Sequence, residues 1–356
     1  MTNRVFNYAF RILGSLDGPR KRVDAAVAMA AYRSCDARAK VDCESYLSHY
    51  RFDDSFRDHL SRTGSPRGFE GPTWAPEIIF DIDREGDLPA ALEATRKLVT
   101  TLEDDFGVPP EAIVRFFSGN KGFHVALPGH LFHPQGGPNF HRIAAVFATL
   151  VAAEAGVIID TGIYDRVRAL RAPNSRHPKT GLHKRHIPAE VFRVITPEQV
   201  PTLAREPAPF EVVDSNLLLA IDRLVEMWRL ATKVVVTEKT AANERAAKVA
   251  AGLAKPVLNR LTMDIIRGES PAVGDRHRLI YSAARDLAEK GAPRHLIDAL
   301  LREPSLDTGL PPKEVERQLD CGYRDGTNTR TNEEGDKSAL DLVAPRPDAT
   351  VEEDAS

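Results

Sequence analysis

The sequence predicts an α+β fold, with a mixed α/β core followed by a small helical domain. Residues 77–195 alternate short β-branched or aromatic runs with segments of helical spacing, as a mixed sheet-and-helix core requires. Residues 256–326 carry amphipathic helical spacing punctuated by Gly and Pro. The composition, 42% apolar and 28% charged over 356 residues, is that of a chain able to bury a substantial core.

The elements follow in order. Residues 1–70 are expected to be mostly helical, with the apolar run at 23–32 as the clearest segment, and the Gly/Pro-rich stretch 63–76 reads as a loop. Residues 71–209 form the core. Within it 77–83 is a strand, and 88–106 a helix with Leu88, Leu92, Thr95, Leu98, Val99, Leu102 and Phe106 on one side, ended by Gly107. Residues 113–117 and 123–127 are strands around a Ser-Gly-Asn-Lys-Gly turn, 139–155 is a helix, and 157–159 a further strand. Residues 210–257 read as a polar helical connector. Residues 258–326 make the helical domain, with helices at 276–290, from Pro293, and from Pro311-Pro312 to about Cys321. The acidic stretch 327–356, free of aromatics, is expected to be disordered.

No apolar run approaches the ~20 residues that span a bilayer, and Met1–Phe6 opens without the apolar stretch of a signal peptide, so no membrane partner and a cytoplasmic location are expected. Three cysteines, Cys35, Cys43 and Cys321, argue against a disulfide framework. Cys35 and Cys43 with His49 and His59 match no common zinc spacing, so zinc is not expected. The net charge of −3 is unevenly spread: from Thr327 onward eight acids face three bases, which leaves the first 326 residues at +2. Residues 166–186 hold Arg166, Arg168, Arg171, Arg176, Lys179, Lys184 and Arg185 with no acid, a local footprint for phosphate.

Three elements carry candidate chemistry. In Glu77-Ile78-Ile79-Phe80-Asp81-Ile82-Asp83 the two-residue period puts Asp81 and Asp83 on one face, roughly 7 Å apart, and Ile78, Phe80 and Ile82 on the other. Two carboxylates at the end of an apolar strand repel each other, and a hard divalent ion between them removes that cost. Asp-x-Asp alone also occurs in metal-dependent sugar transferases. In Ser118-Gly119-Asn120-Lys121-Gly122-Phe123-His124 the glycines free backbone amides for an anion, Ser118 and Lys121 can donate to phosphate, and His124 opens the next strand. Asp160 stands at the end of the apolar run 157–159 and is favoured over Asp165 as third carboxylate because a strand end is fixed. Arg168 and Arg171, three apart, suit bidentate phosphate contacts.

In this order the three elements resemble the motifs of the archaeo-eukaryotic primase catalytic core: an Asp-x-Asp strand, a Ser-Gly-x-x-Gly-x-His hairpin, and a strand-end Asp with a downstream Arg/Lys/His cluster. The most distinctive run is Arg171-Ala172-Pro173-Asn174-Ser175-Arg176-His177-Pro178-Lys179-Thr180-Gly181. The resemblance covers residues 77–186 and implies an RRM-like core, with Asp81, Asp83 and Asp160 binding two Mg²⁺ or Mn²⁺ ions. Ser118, Lys121, His124, Arg168, Arg171, His177 and Lys179 would contact the incoming nucleotide. The implied partners are a single-stranded DNA template and NTPs or dNTPs. Residues 258–324 resemble, more loosely, the helical C-terminal domain of mobile-element primases, through Gly274-Asp275-Arg276-His277-Arg278, Ser282-Ala283-Ala284 and Leu310-Pro311-Pro312-Lys313-Glu314-Val315. No Gly-x-x-x-x-Gly-Lys-Ser/Thr phosphate loop is present, so a replicative helicase would be a separate protein. Three other readings stay open: a nucleotide-sugar transferase, a repair polymerase that extends primers without making them, and a single-strand-binding replication initiator without chemistry.

Overall fold

In Tyr8-Ala9-Phe10-Arg11-Ile12-Leu13, Phe10 and Ile12 lie two apart and are fully buried while Arg11 stays partly exposed, the pattern of a strand covered on one face. The computed structural model, which describes residues 4–214, 217–250, 258–268 and 276–341, builds its first sheet on this segment. Residues 1–70 are therefore not mostly helical. Strands β1 (Tyr8–Leu13), β2 (Lys21–Asp24), β3 (Ser45–Ser48) and β4 (Arg51–Phe52) share them with helices α1 (Ala25–Arg33) and α2 (Asp54–Thr63). These strands are too short to outweigh the apolar run of α1 in a reading of periodicity. With β5 (Thr73–Trp74) and β9 (Ala169–Arg171) they form an antiparallel sheet of order β5-β4-β1-β3-β9, with β2 paired to β1.

The second sheet, also antiparallel, has the order β10-β7-β8-β6 and comprises β6 (Glu77–Asp83), β7 (Val114–Phe117), β8 (Gly122–Pro128) and β10 (Arg185–His186). A seven-residue ladder runs from Glu77 opposite Pro128 to Asp83 opposite Gly122. One face of this sheet presents Ile78, Phe80, Ile82, Phe123, Val125 and Leu127 to a core shared with α3 (Leu88–Thr100) and α4 (Phe140–Glu154). Asp87 caps α3 by accepting from Ala90 N at 2.9 Å. The helix continues as one π turn to Asp105, and Gly107 beyond it adopts φ +72°, as a C-terminal glycine does. The order β6-α3-β7-β8-α4 is the β-α-β-β-α succession expected of the sequence.

Residues 157–159 are not a strand. The segment touches the edge of β6 through one backbone bond, Asp160 N donating to Asp81 O at 2.8 Å. Ile158 is 78% exposed while Val157 and Ile159 pack against the core, and Gly156 at φ +61° turns the chain just before them. After the short helices α5 (Ala189–Val194) and α6 (Gln199–Leu203), α7 (Asp222–Ala250) begins twelve residues later than a connector starting at 210 would. Its first turns are more than a connector: Leu224, Trp228, Ala231 and Val235, at helical spacing, are buried, and the Trp228 ring packs on Phe132, Phe140 and Phe147. Residues 251–257 lie outside the described residues.

The chain divides into two compact units, Met1–Ala242 and Asn243–Ser356. The second is helical: α8 (Arg260–Ile266), α9 (Arg276–Glu289), α10 (Arg294–Asp307) and α11 (Pro312–Asp341) enclose a core that includes Ile265, Ile280, Leu287, Ile297, Leu301 and Leu319. Its buried Asp286 accepts from Asn259 N at 2.9 Å and Thr262 Oγ1 at 2.8 Å and pairs with Lys290. The expected disorder of 327–356 fails for 327–341, which complete α11, while 342–356 lie outside the described residues. Helix α11 is anchored against α9 through Gly322 and Gly326, and helix formation propagates cheaply from an anchored turn. No helix among the described residues is long and apolar enough to cross a membrane.

A Cβ on Gly326 would lie 2.6 Å from Arg285 O and 2.7 Å from Ala288 Cβ. Gly326→Ala gains about 1 kcal/mol of helix propensity but forces the α9–α11 contact apart, an overpacking cost of about 1–3 kcal/mol. The expected outcome is net destabilisation of the helical unit, seen as faster amide exchange across α9; unchanged or slower exchange would refute the close-approach account.

Candidate active site

The alternation of β6 places Asp81 and Asp83 on the face opposite the apolar core, and the ladder to β8 puts His124 directly across from Asp81 and Gly122 across from Asp83. Gly122 is required by space. A Cβ there would stand 2.2 Å from both Asp83 Oδ1 and Ile82 O. Gly119 is required by conformation, at φ +91°, in the turn that Ser118 closes by donating its N–H to Gly122 O at 2.9 Å and accepting from Gly122 N at 3.3 Å through Oγ.

Asp81 is 7% exposed, and its Oδ1 is buried without a hydrogen-bond partner. His124 Nε2 stands 3.4 Å from that oxygen without bonding it, and His124 Nδ1 is likewise buried and unbonded. Burial, then the negative charges of Asp83 and Asp160, push the Asp81 carboxyl up to about 8. Burial also raises Asp83, against the pull of Lys121, whose Nζ lies 3.4 Å from Asp83 Oδ2 and 3.2 Å from Glu85 Oε2. Asp160 sits beside Asp81 through its backbone bond, while its side chain accepts from Gly162 N at 2.7 Å. Among the described residues no three His, Cys, Asp or Glu side chains converge tightly enough to enclose one ion, because Asp160 is turned to its own cap and Lys121 leans on Asp83. Asp165, the rival carboxylate, is exposed beyond the turn at 161–164.

The basic segment interlocks with the hairpin. Thr180 Oγ1 donates to Gly119 O at 2.6 Å, and a Cβ on Gly119 would meet His177 Cβ at 3.2 Å. His177 Nδ1 accepts from Lys179 N at 3.2 Å, and its imidazole is lowered to about 4 by burial and by the charges of Arg171 and Lys179. Arg176, His177, Lys179 and Thr180, with Glu44, line an open basin of about 490 Å³. Arg171 is tied down by Nη2 to Tyr46 Oη at 3.2 Å and Nη1 to Arg176 O at 3.1 Å, with its guanidinium 4.9 Å from the Tyr46 ring centre. Arg168 and Lys179 are exposed. Asp81, Asp83, Lys121 and His124 thus stand together with Asp160 alongside, and Ser118 and His177 flank them through the hairpin.

Two residues absent from the candidate set stand behind Asp81. Lys184 is 3% exposed, donates to Arg171 O at 3.1 Å and lies 5.0 Å from the Phe116 ring centre; burial lowers its ammonium to about 8, with Asp81 and Glu77 pulling the other way. His49 has both ring nitrogens buried without a partner, and burial and the charges of Lys184 and Arg168 lower it to about 3. Burial, then the charge of Lys184, holds His124 well below its ordinary value, so both imidazoles are neutral near pH 7. Lys184 belongs to the basic run, but charge density does not say which lysine folds inward. His49 stands out in the sequence only as a possible zinc ligand. His49 directly precedes the buried Tyr50 and Lys184 directly follows the buried His183, but that burial is set by packing and leaves no mark on the sequence.

No protein-family model matches the chain. Over 124 aligned residues it is 32% identical to the DNA primase small subunit PriS of Saccharolobus solfataricus, covering 27% of this chain and 35% of that protein. It is 34% identical over 115 residues to the corresponding subunit of Saccharolobus islandicus, covering 26% and 33%. The primase RepB′ aligns over 96% of this chain and 95% of its own at 13% identity and a TM-score of 0.34, too low a likeness to bear on the fold. The chain spans about a third of the length of the curated relatives it matches, and over that span it is similar to DNA primase small subunits.

Proposed function

We propose that this chain is a template-directed nucleotidyltransferase, a DNA primase or primase-polymerase acting on single-stranded DNA. The observation that carries the reading is Asp81, a desolvated carboxylate with an unbonded oxygen, crowded by the charges of Asp83 and Asp160. Such a carboxylate is costly unless a cation shares it. The partial similarity to DNA primase small subunits supports the same assignment.

The donor set suits hard divalent ions, Mg²⁺ or Mn²⁺, which take carboxylate oxygens together with substrate phosphates. Asp81 and Asp83 offer theirs from a rigid strand, and Asp160 joins them by releasing its Gly162 cap. Two such ions supply acidification of a 3′-hydroxyl and charge neutralisation at the leaving pyrophosphate. The chain's own residues do the rest. Lys121, Arg168, Arg171 and Lys179 balance triphosphate charge, with the basin at Arg176–Thr180 as the place for it. Ser118 closes the hairpin turn and His177 stands against it at Gly119, and both would contact the incoming nucleotide from there. His124, kept neutral beside Asp81, would contact the incoming nucleotide without adding charge.

Synthesis on single-stranded template, unprimed and primed, with NTPs and dNTPs in separate pools, tests the reading. Wild type is expected to make template-dependent products, and Asp81→Asn and Asp83→Asn each to slow incorporation by about 10³-fold or more, the worth of several kcal/mol of metal-borne stabilisation. Extension of primers without priming would move the chain to a repair polymerase. No synthesis in either format, with DNA binding intact, would overturn the chemistry and favour an initiator.

A second prediction concerns stability. The raised Asp81 carboxyl lets the folded chain bind more protons than the unfolded one between about pH 4, the ordinary carboxylate range, and about pH 8. This contribution is complete below that window and is lost as pH rises through it. Asp81→Asn removes the ionisation, so without divalent ions its stability relative to wild type is expected to grow by a few kcal/mol from about pH 5 to about pH 8. Adding Mn²⁺ at the upper pH is expected to raise the melting temperature of wild type more than that of the variant. A wild type–variant difference independent of pH and of Mn²⁺ would contradict the crowding argument.

A further inference from the structure

Beyond the N-terminal end of β6, away from the carboxylates, lies an open pocket of about 530 Å³, a size typical of small-molecule sites. Arg4, Arg51, His130 and His133 line it with Phe6 and Trp74, and no Asp or Glu among the described residues does so. In a chain of net charge −3 such a concentration of one sign is local. The aromatic wall is built with care. Trp74 Nε1 donates to Pro134 O at 3.2 Å, which fixes the indole plane. The Phe6 ring centre lies 6.3 Å from that of Trp74 at an interplanar angle of 30°. Phe6 rests on Gly136, where a Cβ would come within 2.5 Å of the ring. The Arg51 guanidinium stands 5.5 Å from the Trp74 ring centre. His133 holds a left-handed φ of +48° on the rim, a conformation that costs energy for a residue with a Cβ.

Arg51 also lines a second, narrow cavity of about 60 Å³ between the two sheets, together with His49, Glu77, Arg171 and Lys184. Arg51 thus has a side on each of the two, the open pocket and the cavity that Lys184 and His49 line. Trp74 lies just before β6 and Asp83 ends it, so the two places stand at opposite ends of a strand about 20 Å long at roughly 3.3 Å per residue.

We propose that this pocket binds one nucleotide of a single-stranded polynucleotide, its base stacked on Trp74 and Phe6 and its phosphates held by Arg4 and Arg51, at the far end of β6 from the catalytic carboxylates. Aromatic platforms beside arginines are how sequence-tolerant strand binding is achieved. The inference rests on the reading of the chain as an enzyme that works on polynucleotides, and its test uses binding, which does not depend on synthesis.

The full-length protein would be titrated with oligothymidylates of about four and about twelve nucleotides and with thymidine monophosphate, following fluorescence anisotropy and tryptophan emission. Trp228, the other tryptophan, is 7% exposed in the core, so quenching by a base reports Trp74. The twelve-nucleotide strand is expected to quench emission. Trp74→Ala and Arg51→Ala are each expected to weaken its binding about tenfold, while Trp74→Phe, which keeps an aromatic face, retains most of the affinity. Arg4→Ala, at an exposed position that folding does not need, is expected to flatten the salt dependence. Thymidine monophosphate that quenches as strongly as the long strand at equal concentration would reassign the pocket to free nucleotides and overturn the strand proposal. Equal affinity of all variants for the long strand, or binding without quenching, would overturn it as well. Absent synthesis with binding and quenching intact would sink the polymerase reading and leave this site standing.

Discussion

Mutual repulsion of Asp81, Asp83 and Asp160 in a partly desolvated corner is the constraint on which the other features of the first unit depend. A carboxylate removed from water and set beside two others is unfavourable unless the surrounding structure holds it there. The holding is done by the seven-residue β6–β8 ladder and by Ile78, Phe80 and Ile82, whose burial on the far face of the same strand fixes the register. A slip of one residue would turn the carboxylates into the core and the isoleucines out, so the apolar face specifies the site as firmly as the acids themselves do. Gly122 completes the arrangement from the neighbouring strand, since any side chain there would occupy the place of the Asp83 carboxylate.

Behind the carboxylates the structure gathers cationic and neutral groups. His49 and His124 are kept neutral by burial and by the nearby positive charges, and Lys184 carries the charge among them. Burial drives Asp81 up and Lys184 down into the same range, near about 8. Each of the two favours the ionised form of the other, Lys184 lowering Asp81 and Asp81 raising Lys184.

Legibility in the sequence followed the strength of the local signal. The bounds of β6, α3 and α4 were readable because their apolar periods are long and their ends carry Asp87, Gly107 or a Gly-rich turn. Strands β1 to β4 were not, because two to six residues give too few alternations to compete with an alanine-rich helix next to them. The segment before Asp160 reads as a strand by composition, yet strand pairing is a property of both partners, and only one backbone bond forms. In α7 the stripe of Leu224, Trp228, Ala231 and Val235 was present but diluted by the charges between them. His49 and Lys184 illustrate the general limit: a buried polar side chain is placed by tertiary packing, and its sequence neighbours do not announce it. The polar residues that were legible, Asp81, Asp83 and His124, sit on regular strands where alternation alone determines the face.

The same regularity makes β6 a spacer as well as a platform. Its C-terminal end carries the carboxylates, with the basic loop that contains His177 and Lys179 locked onto the adjoining hairpin through Gly119. Its N-terminal end follows Trp74 and the basic aromatic pocket, and the intersheet cavity lined by Arg51 and Lys184 runs between. A strand paired along its whole length to β8 does not stretch or compress, so the separation of the two sites is fixed by residue count. Loops at both ends would leave that separation free to vary with thermal motion. If one site does chemistry on a chain terminus and the other grips the strand, a rigid spacer between them converts strand length into geometry. Shortening β6 by two residues would preserve which side chains face the cleft, because the period is two, while bringing the sites closer by about 7 Å. Alternation sets the chemistry of the site and strand length sets its reach, and the two are separable in this fold.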